Sequence, residues 1–373
     1  MSGTHTETAA ASAPMPATAR AAGLRVAPAR LAAFIAGLLH AAGVGKASAT
    51  VAARALVDAD RAGVPSHGAM LVPMYVERLR AGSVSTADRG RIVSDRGGVL
   101  VIDAGNALGQ VTAQQATRLL AERTPVHGLA AVAVRNAFHF GAAGYWAEAL
   151  AREGLVGIVM SNTRPLMPAP GGAERVVGNN PLAIAVPAAG GTTVVFDMAA
   201  SAGAMGKIRL AAASGAPIPE GWATDARGAP TTDAAEAIKG MLLPTGGAKG
   251  FGLAFMIDLL CGGLSGGAIG DAVRALYGNP GEPYACAQLF IAIDVAHFRD
   301  LRAFADAVTA SASRVRESAP APGHARVAVP GDRTARRRLA NADSCPLAGE
   351  TAKALAGLGA SLGVADDGLF EQC

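Results

Sequence analysis

Charge is scarce in this 373-residue chain: 17% of its residues are Asp, Glu, Lys or Arg, and the formal net charge is only +4. Much of that excess comes from Arg333, Arg336, Arg337 and Arg338, so a nucleic-acid-binding face has little support. Cysteine is scarce too. Cys261, Cys286, Cys345 and Cys373 are widely spaced and form no CxxC pair. That pattern argues against a zinc or other metal site and for reduced thiols in a cytoplasmic protein. No stretch of eighteen apolar residues occurs, so no membrane span is expected. The segment from Met1 to about Gly23 is rich in Ala, Thr, Ser and Pro and lacks an apolar signal core, which predicts a disordered extension over 1–23.

Two nucleotide-binding signatures are missing as well. The nearest approach to a Rossmann fingerprint is Gly357-Leu-Gly359-Ala-Ser-Leu-Gly363, which has one residue too many before the third glycine and lies inside a helical pattern with no strand before it. Gly246-Gly-Ala-Lys249-Gly lacks the spacing of a Walker A loop and the Ser or Thr after its Lys.

What is present is hydrophobic substance. Half the residues are apolar and 47 are glycine, a mixture suited to packed elements joined by tight turns. The length allows one large or two intimate domains. Leu31, Phe34, Ile35, Leu38 and Leu39 recur at helical spacing over Ala27–Ala42, and Val51, Ala55, Leu56 and Ala59 do so over Ala47–Arg61. Pro73–Ala81 predicts a third helix. These make a helical module over 24–90.

From Arg91 the pattern changes to β-branched runs at Val99–Asp103, Ala130–Val134, Val156–Met160, Leu182–Val186 and Thr192–Phe196, with helices predicted at Thr112–Glu122 and Ala143–Arg152. Gly252–Gly262 reads as a buried helix and Leu289–Val295 as a strand. A mixed-sheet α+β domain over 91–295 follows, then a helical segment over 296–373 (Leu301–Glu317 and Thr351–Leu362) expected to pack back on the first module. Ser318–His324 is the most linker-like interior stretch.

Four segments carry chemistry. Ser66-His67-Gly68 follows a helical run and the punctuation Gly63-Val-Pro65, which puts an imidazole in a turn. His139 lies in Asn136-Ala-Phe-His139-Phe140-Gly141, Asp197 ends the apolar run Val194-Val-Phe-Asp197, and Lys249 sits among glycines. Reducing a ketone leaves negative charge on oxygen, and histidine titrates near neutrality and can quench it. A Lys with neighbouring backbone N–H groups suits a pyrophosphate. Gly141 and Gly144 allow a ligand close to the backbone. Asp197 could instead cap a helix over Met198–Met205, and Lys249 could be an ordinary surface residue.

In this order the four segments resemble the malate/L-lactate dehydrogenase family that is distinct from the Rossmann lactate and malate dehydrogenases. It includes sulfolactate, ureidoglycolate and 2,3-diketogulonate oxidoreductases and Δ1-piperideine-2-carboxylate reductases. Gly178-Asn-Asn-Pro181, Ile218-Pro-Glu-Gly-Trp222, Pro230-Thr-Thr-Asp233 and Val329-Pro-Gly-Asp332 match further, so the likeness runs roughly from Ala27 to Gly363. The resemblance implies a non-Rossmann sheet domain, NAD or NADP as cofactor, a small 2-oxo or 2-hydroxy acid as substrate, and a homodimer. It implies that His67 donates and accepts the proton, with Ser66 and Asp197 as a hydrogen-bond relay. His139, which some members use as the base, is implied to contact cofactor or substrate. Cofactor contacts are implied for His139, Phe140 and Gly141, for Ser161, Asn162 and Thr163, and for Asp197, Met198 and Ala199. Lys249, Gly250, Pro330, Gly331 and Asp332 complete the set, with Lys207 as a possible addition.

The chain departs from its relatives in one place. Many carry an Arg four residues after the His of Ser-His-Gly, where it would clamp a substrate carboxylate. Here that position is Leu71. Arg164, beside Thr163, is the expected replacement. A cyclic imine carboxylate is the rival substrate, and a catalytically inactive binding protein on the same scaffold is the rival class.

Overall fold

The structure, a computed structural model, describes residues 24–371. The extension predicted over 1–23 lies outside the described residues, as does Cys373. Strand β1 (Leu24–Val26) leads into helices α1 (Pro28–Ala41) and α2 (Lys46–Arg61), which pack together. Pro28 opens α1, where its missing N–H costs nothing. The five apolar side chains read from its periodicity are all buried, each contributing on the order of 2 kcal/mol. Gly63, at φ +73°, turns the chain out of α2. Two short 3-10 turns, Pro65–His67 and Ala69–Leu71, then connect to α3 (Val72–Arg80).

The sheet begins with β2 (Arg91–Asp95) and β3 (Val99–Asp103), an antiparallel pair. Helix α4 (Gly109–His127) crosses over to β4 (Leu129–Ala137), which runs parallel to β3. Then come α5 (Ala143–Arg152), β5 (Leu155–Ser161), β6 (Leu182–Pro187) and β7 (Thr193–Met198). An excursion follows through α6 (Met205–Ala213), the two-stranded β8 (Ala223–Thr224) and β9 (Pro230–Thr231), α7 (Ala234–Lys239) and α8 (Ala248–Asp258). Strand β10 (Cys286–Asp294) returns to the middle of the sheet, which has the order β2-β3-β4-β10-β5-β6-β7. Apart from β3–β4 its neighbours are antiparallel, so the expected mixed sheet is found.

Helix α9 (Leu301–Arg316), α10 (Asp332–Ala340), β11 (Cys345–Leu347) and α11 (Gly349–Leu362) complete the chain. β11 pairs antiparallel with β1. Phe370 meets Phe34 edge-on, and Gly359 lies against the Phe34 ring, where a Cβ would stand 2.8 Å from it. Gly359 belongs to the false nucleotide fingerprint and serves helix packing. One continuous hydrophobic core joins the N-terminal helices, the sheet and the C-terminal helix. A smaller core around Met167, Ile208, Ile218 and Leu242 holds the excursion together.

Two expectations need correction. The helix read as Gly252–Gly262 spans Ala248–Asp258 and runs on into a π-turn, Leu259–Gly263; nor is it buried in this chain. Its Ala254 and Ile257 face inward, while Leu253, Phe255, Met256 and Leu259 are exposed. No helix covers Met198–Met205 either. Ala200 N–H donates to Asn179 O, Ala202 N–H to Leu243 O, and Thr245 N–H to Ala200 O, so this backbone pairs sideways with neighbouring segments instead of closing turns. Helix α6 starts only at Met205.

Candidate active site

The Ser66-His67-Gly68 turn is held from beneath. Asp60, in the last turn of α2, accepts a hydrogen bond from Ala69 N–H at 2.8 Å. A Cβ on Gly68 would fall 2.2 Å from the Asp60 carboxylate, so only glycine fits between them. Asp60 is buried, and desolvation pushes its carboxyl up to about 7 against the pull of Ala69 N–H. Ser66 Oγ lies 3.0 Å from His67 Nδ1.

The second histidine arrives from the sheet. Asn136 adopts φ +49° at the end of β4, its amide anchored on Asp103, and bends the chain into Phe138 and His139. The rings of His67 and His139 lie 5.5 Å apart, centroid to centroid. Burial lowers the pKa of both. For His139 the depression reaches about 3, by desolvation first and then by the adjacent His67. Tyr75 Oη sits 2.8 Å from His139 Nδ1, and Gln110 Nε2 donates to that same oxygen at 3.1 Å. Neither Tyr75 nor Gln110 was singled out from the sequence. Tyr75 follows His67 by eight residues, and helical spacing offered a faint signal for it. Gln110 offered none.

Asp197, in β7, reaches the N-terminus of α5, where its carboxylate accepts Gly144 N–H at 2.9 Å. It therefore caps a helix other than the one weighed from sequence, and among the described residues it bonds no imidazole. Its carboxyl also stands 2.7 Å from where a Gly144 Cβ would be. Asp197 opens onto a cleft of about 280 Å³ lined by Gly144, Tyr145, Phe196, Pro330 and Gly331 among others. Surrounding protein raises its pKa, with Gly144 N–H and the Arg338 charge pulling the other way. Gly331, at φ +91°, lies against Val195 with a virtual Cβ 3.0 Å from its carbonyl oxygen, which brings the Pro330–Gly331 turn beside Asp197. Met198 and Ala199 lead on toward Ala200, whose carbonyl holds Thr245 and hence the glycine loop before Lys249. Lys249 is exposed in the first turn of α8, after Gly246 and Gly247 at positive φ, and enters no ion pair among the described residues.

Several expected contacts have side chains with other work. Asn162 is fully buried: it donates to Asp258 Oδ1 and Ala268 O and accepts from Ala287 N–H. Ser161 Oγ donates to Ala287 O. Thr163 is tied to Asn179 and Asn180. These residues brace the loop after β5, leaving only their backbone for a ligand. Asp332 accepts from Nε and Nη2 of Arg316 and from Val329 N–H. Lys207 lies 5.6 Å from the Trp222 ring. Phe140 is buried against Phe290, and Gly250 packs on Thr245. Leu71 faces the hydrophobic core, so that position offers a substrate nothing polar.

Arg164 is half-buried on the loop after β5, and burial and the neighbouring Arg175 and Arg209 draw its pKa down. Tyr284, which acts against that shift, packs on Phe138, the residue before His139. No cluster of His, Cys, Asp or Glu suited to a metal occurs among the described residues, and no described helix is long and apolar enough to cross a membrane.

Comparison with known proteins agrees with this architecture. The sequence model of the family described as malate/L-lactate dehydrogenase matches residues 26–356. The chain is 41% identical over 262 residues to a (2R)-3-sulfolactate dehydrogenase (NADP(+)) of Chromohalobacter salexigens, covering 70% of this chain and 78% of that one. It is 36% identical to a ureidoglycolate dehydrogenase (NAD(+)) of Escherichia coli O157:H7, covering 78% and 82%. The solved sulfolactate dehydrogenase of Methanocaldococcus jannaschii superposes with a TM-score of 0.88 at 34% identity, covering 92% of this chain and 99% of that one. With the whole fold shared and the match spanning the helical module and the sheet alike, the chain belongs to the malate/L-lactate dehydrogenase family.

Proposed function

We propose that this protein transfers hydride between NAD or NADP and a small 2-oxo or 2-hydroxy acid, with His67 as the proton donor and acceptor. The observation that carries the reading is the pair of imidazoles 5.5 Å apart, linked through Gly141 and Gly144 to the Asp197 cleft. In reduction the carbonyl carbon gains the hydride and its oxygen gains the proton that leaves His67; oxidation reverses both transfers. His67 suits this task because it is partly buried yet keeps some solvent contact, and among the described residues its one side-chain partner is a serine hydroxyl that can turn to follow its charge.

The residues fit a dinucleotide. Bare backbone at Gly144 and Gly331 leaves room beside Asp197, and the open Lys249 at a helix N-terminus suits a pyrophosphate. When bound, the nicotinamide supplies or takes up the hydride. Asp197 would hold the ring's amide edge, and Pro330 and Gly331 would wall that side. Relatives named for NADP(+) and for NAD(+) both exist, so either cofactor is compatible with this reading. A panel of malate-, lactate- and sulfolactate-type 2-oxo acids, with cyclic imine carboxylates alongside, tests it with NADH and NADPH. Turnover of an oxo acid is the expected result. Turnover of imines alone would transfer the reading to the rival substrate. No turnover together with no quenching of cofactor fluorescence would favour an inactive binder.

Arg164 is the proposed carboxylate clamp in place of the missing cation at Leu71. It enters no ion pair among the described residues, and Arg175 and Arg209 add positive charge around it. Arg164→Ala should raise KM for the oxo acid about 10- to 100-fold, the worth of a charge-assisted hydrogen bond pair. An unchanged KM would remove Arg164 from the site.

The homodimer also belongs to this proposal. Leu253, Phe255, Met256, Leu259, Leu264 and Ile269 form an exposed apolar band along α8 and the turn after it. A band of that composition calls for a cover, and a second copy fits the reading. Sedimentation should give twice the chain mass, and Met256→Asp should shift it toward one chain mass.

A further inference from the structure

We infer that Arg338 is a positioning residue for the cofactor: it clamps α10 onto α2 and α5, so that the Pro330–Gly331 turn stands as one wall of the cleft that opens on Asp197.

Helix α10 has no apolar grip on the rest of the molecule. None of its residues is buried, and its one leucine, Leu339, is 78% exposed. A helix without a buried face gains little from the hydrophobic term that holds α1 in place, so polar contacts must fix it. At its start Asp332 is tied to Arg316 of α9, on the side away from the cleft. At its end Arg61 of α2 donates to the carbonyls of Arg338 and Asn341, Asn341 Nδ2 donates back to Arg61 O, and exposed Arg337 reaches Gly63 O.

The Arg338 side chain spreads over two helices. Its Nη2 donates to Asp58 Oδ2 on α2 at 2.7 Å, and its Nη1 to Glu148 Oε2 on α5 at 2.6 Å. All three side chains are mostly shielded from water, so these pairs are screened far less than surface ones. Arg338 and Asp58 line the same cleft as Gly144, Asp197, Pro330 and Gly331. That lining comes mainly from α2, the first turn of α5, β7 and α10. One guanidinium therefore joins three of these elements: α2 and α5 through the carboxylates it holds, and α10 because that helix bears it.

Stability is a weak account of such a triad. Taking the charges out of water costs much of what their attraction returns, and Arg338 Nε is buried with no acceptor among the described residues. What the arrangement supplies is geometry, because a planar fork reaches two carboxylates at once where a lysine ammonium is a single point of charge. The same charge faces Asp197. There it works with Gly144 N–H against the desolvation that raises the carboxyl, and so favours the ionised form able to accept from the cofactor's amide.

The cofactor part of this inference rests on the hydride-transfer reading; the clamp does not. Hydrogen exchange followed by mass spectrometry reads the clamp without any ligand. Peptides covering α10 should exchange faster in Arg338→Met than in the native chain, while α1 and α11 stay as they are. Fluorescence titration with NADH and NADPH reads the cofactor. Its Kd should rise about 10- to 100-fold in Arg338→Met, the scale of a displaced binding wall. Arg338→Lys should recover part of that loss, since it keeps the charge but not the fork. In turnover the cofactor KM should rise while kcat at saturating cofactor is nearly kept, because Arg338 touches no reacting atom. Arg338→Met strands two carboxylates; combining it with Asp58→Asn and Glu148→Gln removes that charge and serves if the single variant fails to fold. A folded variant whose α10 exchanges like the native helix, or that binds cofactor with the native Kd, would overturn the inference. Native protein that bound neither NADH nor NADPH would fault the hydride-transfer reading instead, and the exchange result would still decide the clamp.

Discussion

Replacing His67 with Asn should lower kcat for reduction by about 10² to 10⁴, the usual worth of a positioned general acid. The native enzyme should lose reductive activity as pH rises, because only protonated His67 can quench the forming alkoxide. Oxidation should show the opposite slope. Burial pulls the His67 pKa down, so both limbs should turn below the ordinary histidine value of 6.5. His67→Asn should flatten those limbs. His139→Asn should also slow turnover, by about 10-fold through a lost hydrogen bond to cofactor or substrate, yet keep the slopes. If His139→Asn abolished the pH dependence and His67→Asn preserved it, the two roles would be exchanged.

Asp60→Asn should stabilise the protein at alkaline pH. Asp60 is buried under the Ser66-His67-Gly68 turn, and among the described residues its carboxyl accepts one hydrogen bond, from Ala69 N–H. A carboxyl raised from 3.8 to about 7 binds its proton more tightly in the folded state. Its contribution to stability is complete below about pH 4 and disappears as pH climbs through 7. By pH 8 the fold carries a buried carboxylate that costs about 4 kcal/mol relative to the neutral acid, as an upper figure. The amide oxygen of Asn can still accept from Ala69 N–H without charge, so the variant should gain up to that amount in chemical denaturation at pH 8.

His139 works in the opposite sense. Its pKa falls from 6.5 in the unfolded chain to about 3 in the fold, so stability is present above 6.5 and declines as pH drops toward 3. Between about pH 4 and 6.5 the two slopes oppose each other, and native stability should change little on their account. Asp60→Asn should expose the histidine slope as a decline toward acid. Parallel native and variant curves would show that the Asp60 carboxyl titrates in its ordinary range.

Much of this was legible in the chain. Helix α1 declared itself because burial of one face demands apolar residues every third or fourth position, and Leu31, Phe34, Ile35, Leu38 and Leu39 supply them. Strand β3 was readable at Val99–Asp103 because β-branched residues crowd an extended backbone least. The family resemblance rested on short motifs whose residue types follow from their chemistry, and it survived comparison over residues 26–356. Other elements left little local trace. Helix α10 is charged around Arg336, Arg337 and Arg338, and it is anchored by Arg338 on Asp58 and Glu148, partners 280 and 190 residues away. The family resemblance implied Asn162 as a cofactor contact, and only the fold shows its side chain occupied by Asp258 and Ala287.

Residue order and type, taken alone, specified the periodicities, the turns and the inventory of groups able to move a proton or hold an anion, since these depend on neighbours within a few positions. The folded chain decided the rest. β10 enters the sheet between β4 and β5, far from either in sequence. Asp197 caps α5 across 53 residues, and Tyr75 reaches His139 across 64. Protonation state is set by desolvation and by neighbouring charge, and here both come from elements that only packing brings together. Two histidines alike in sequence therefore become chemically different in the fold.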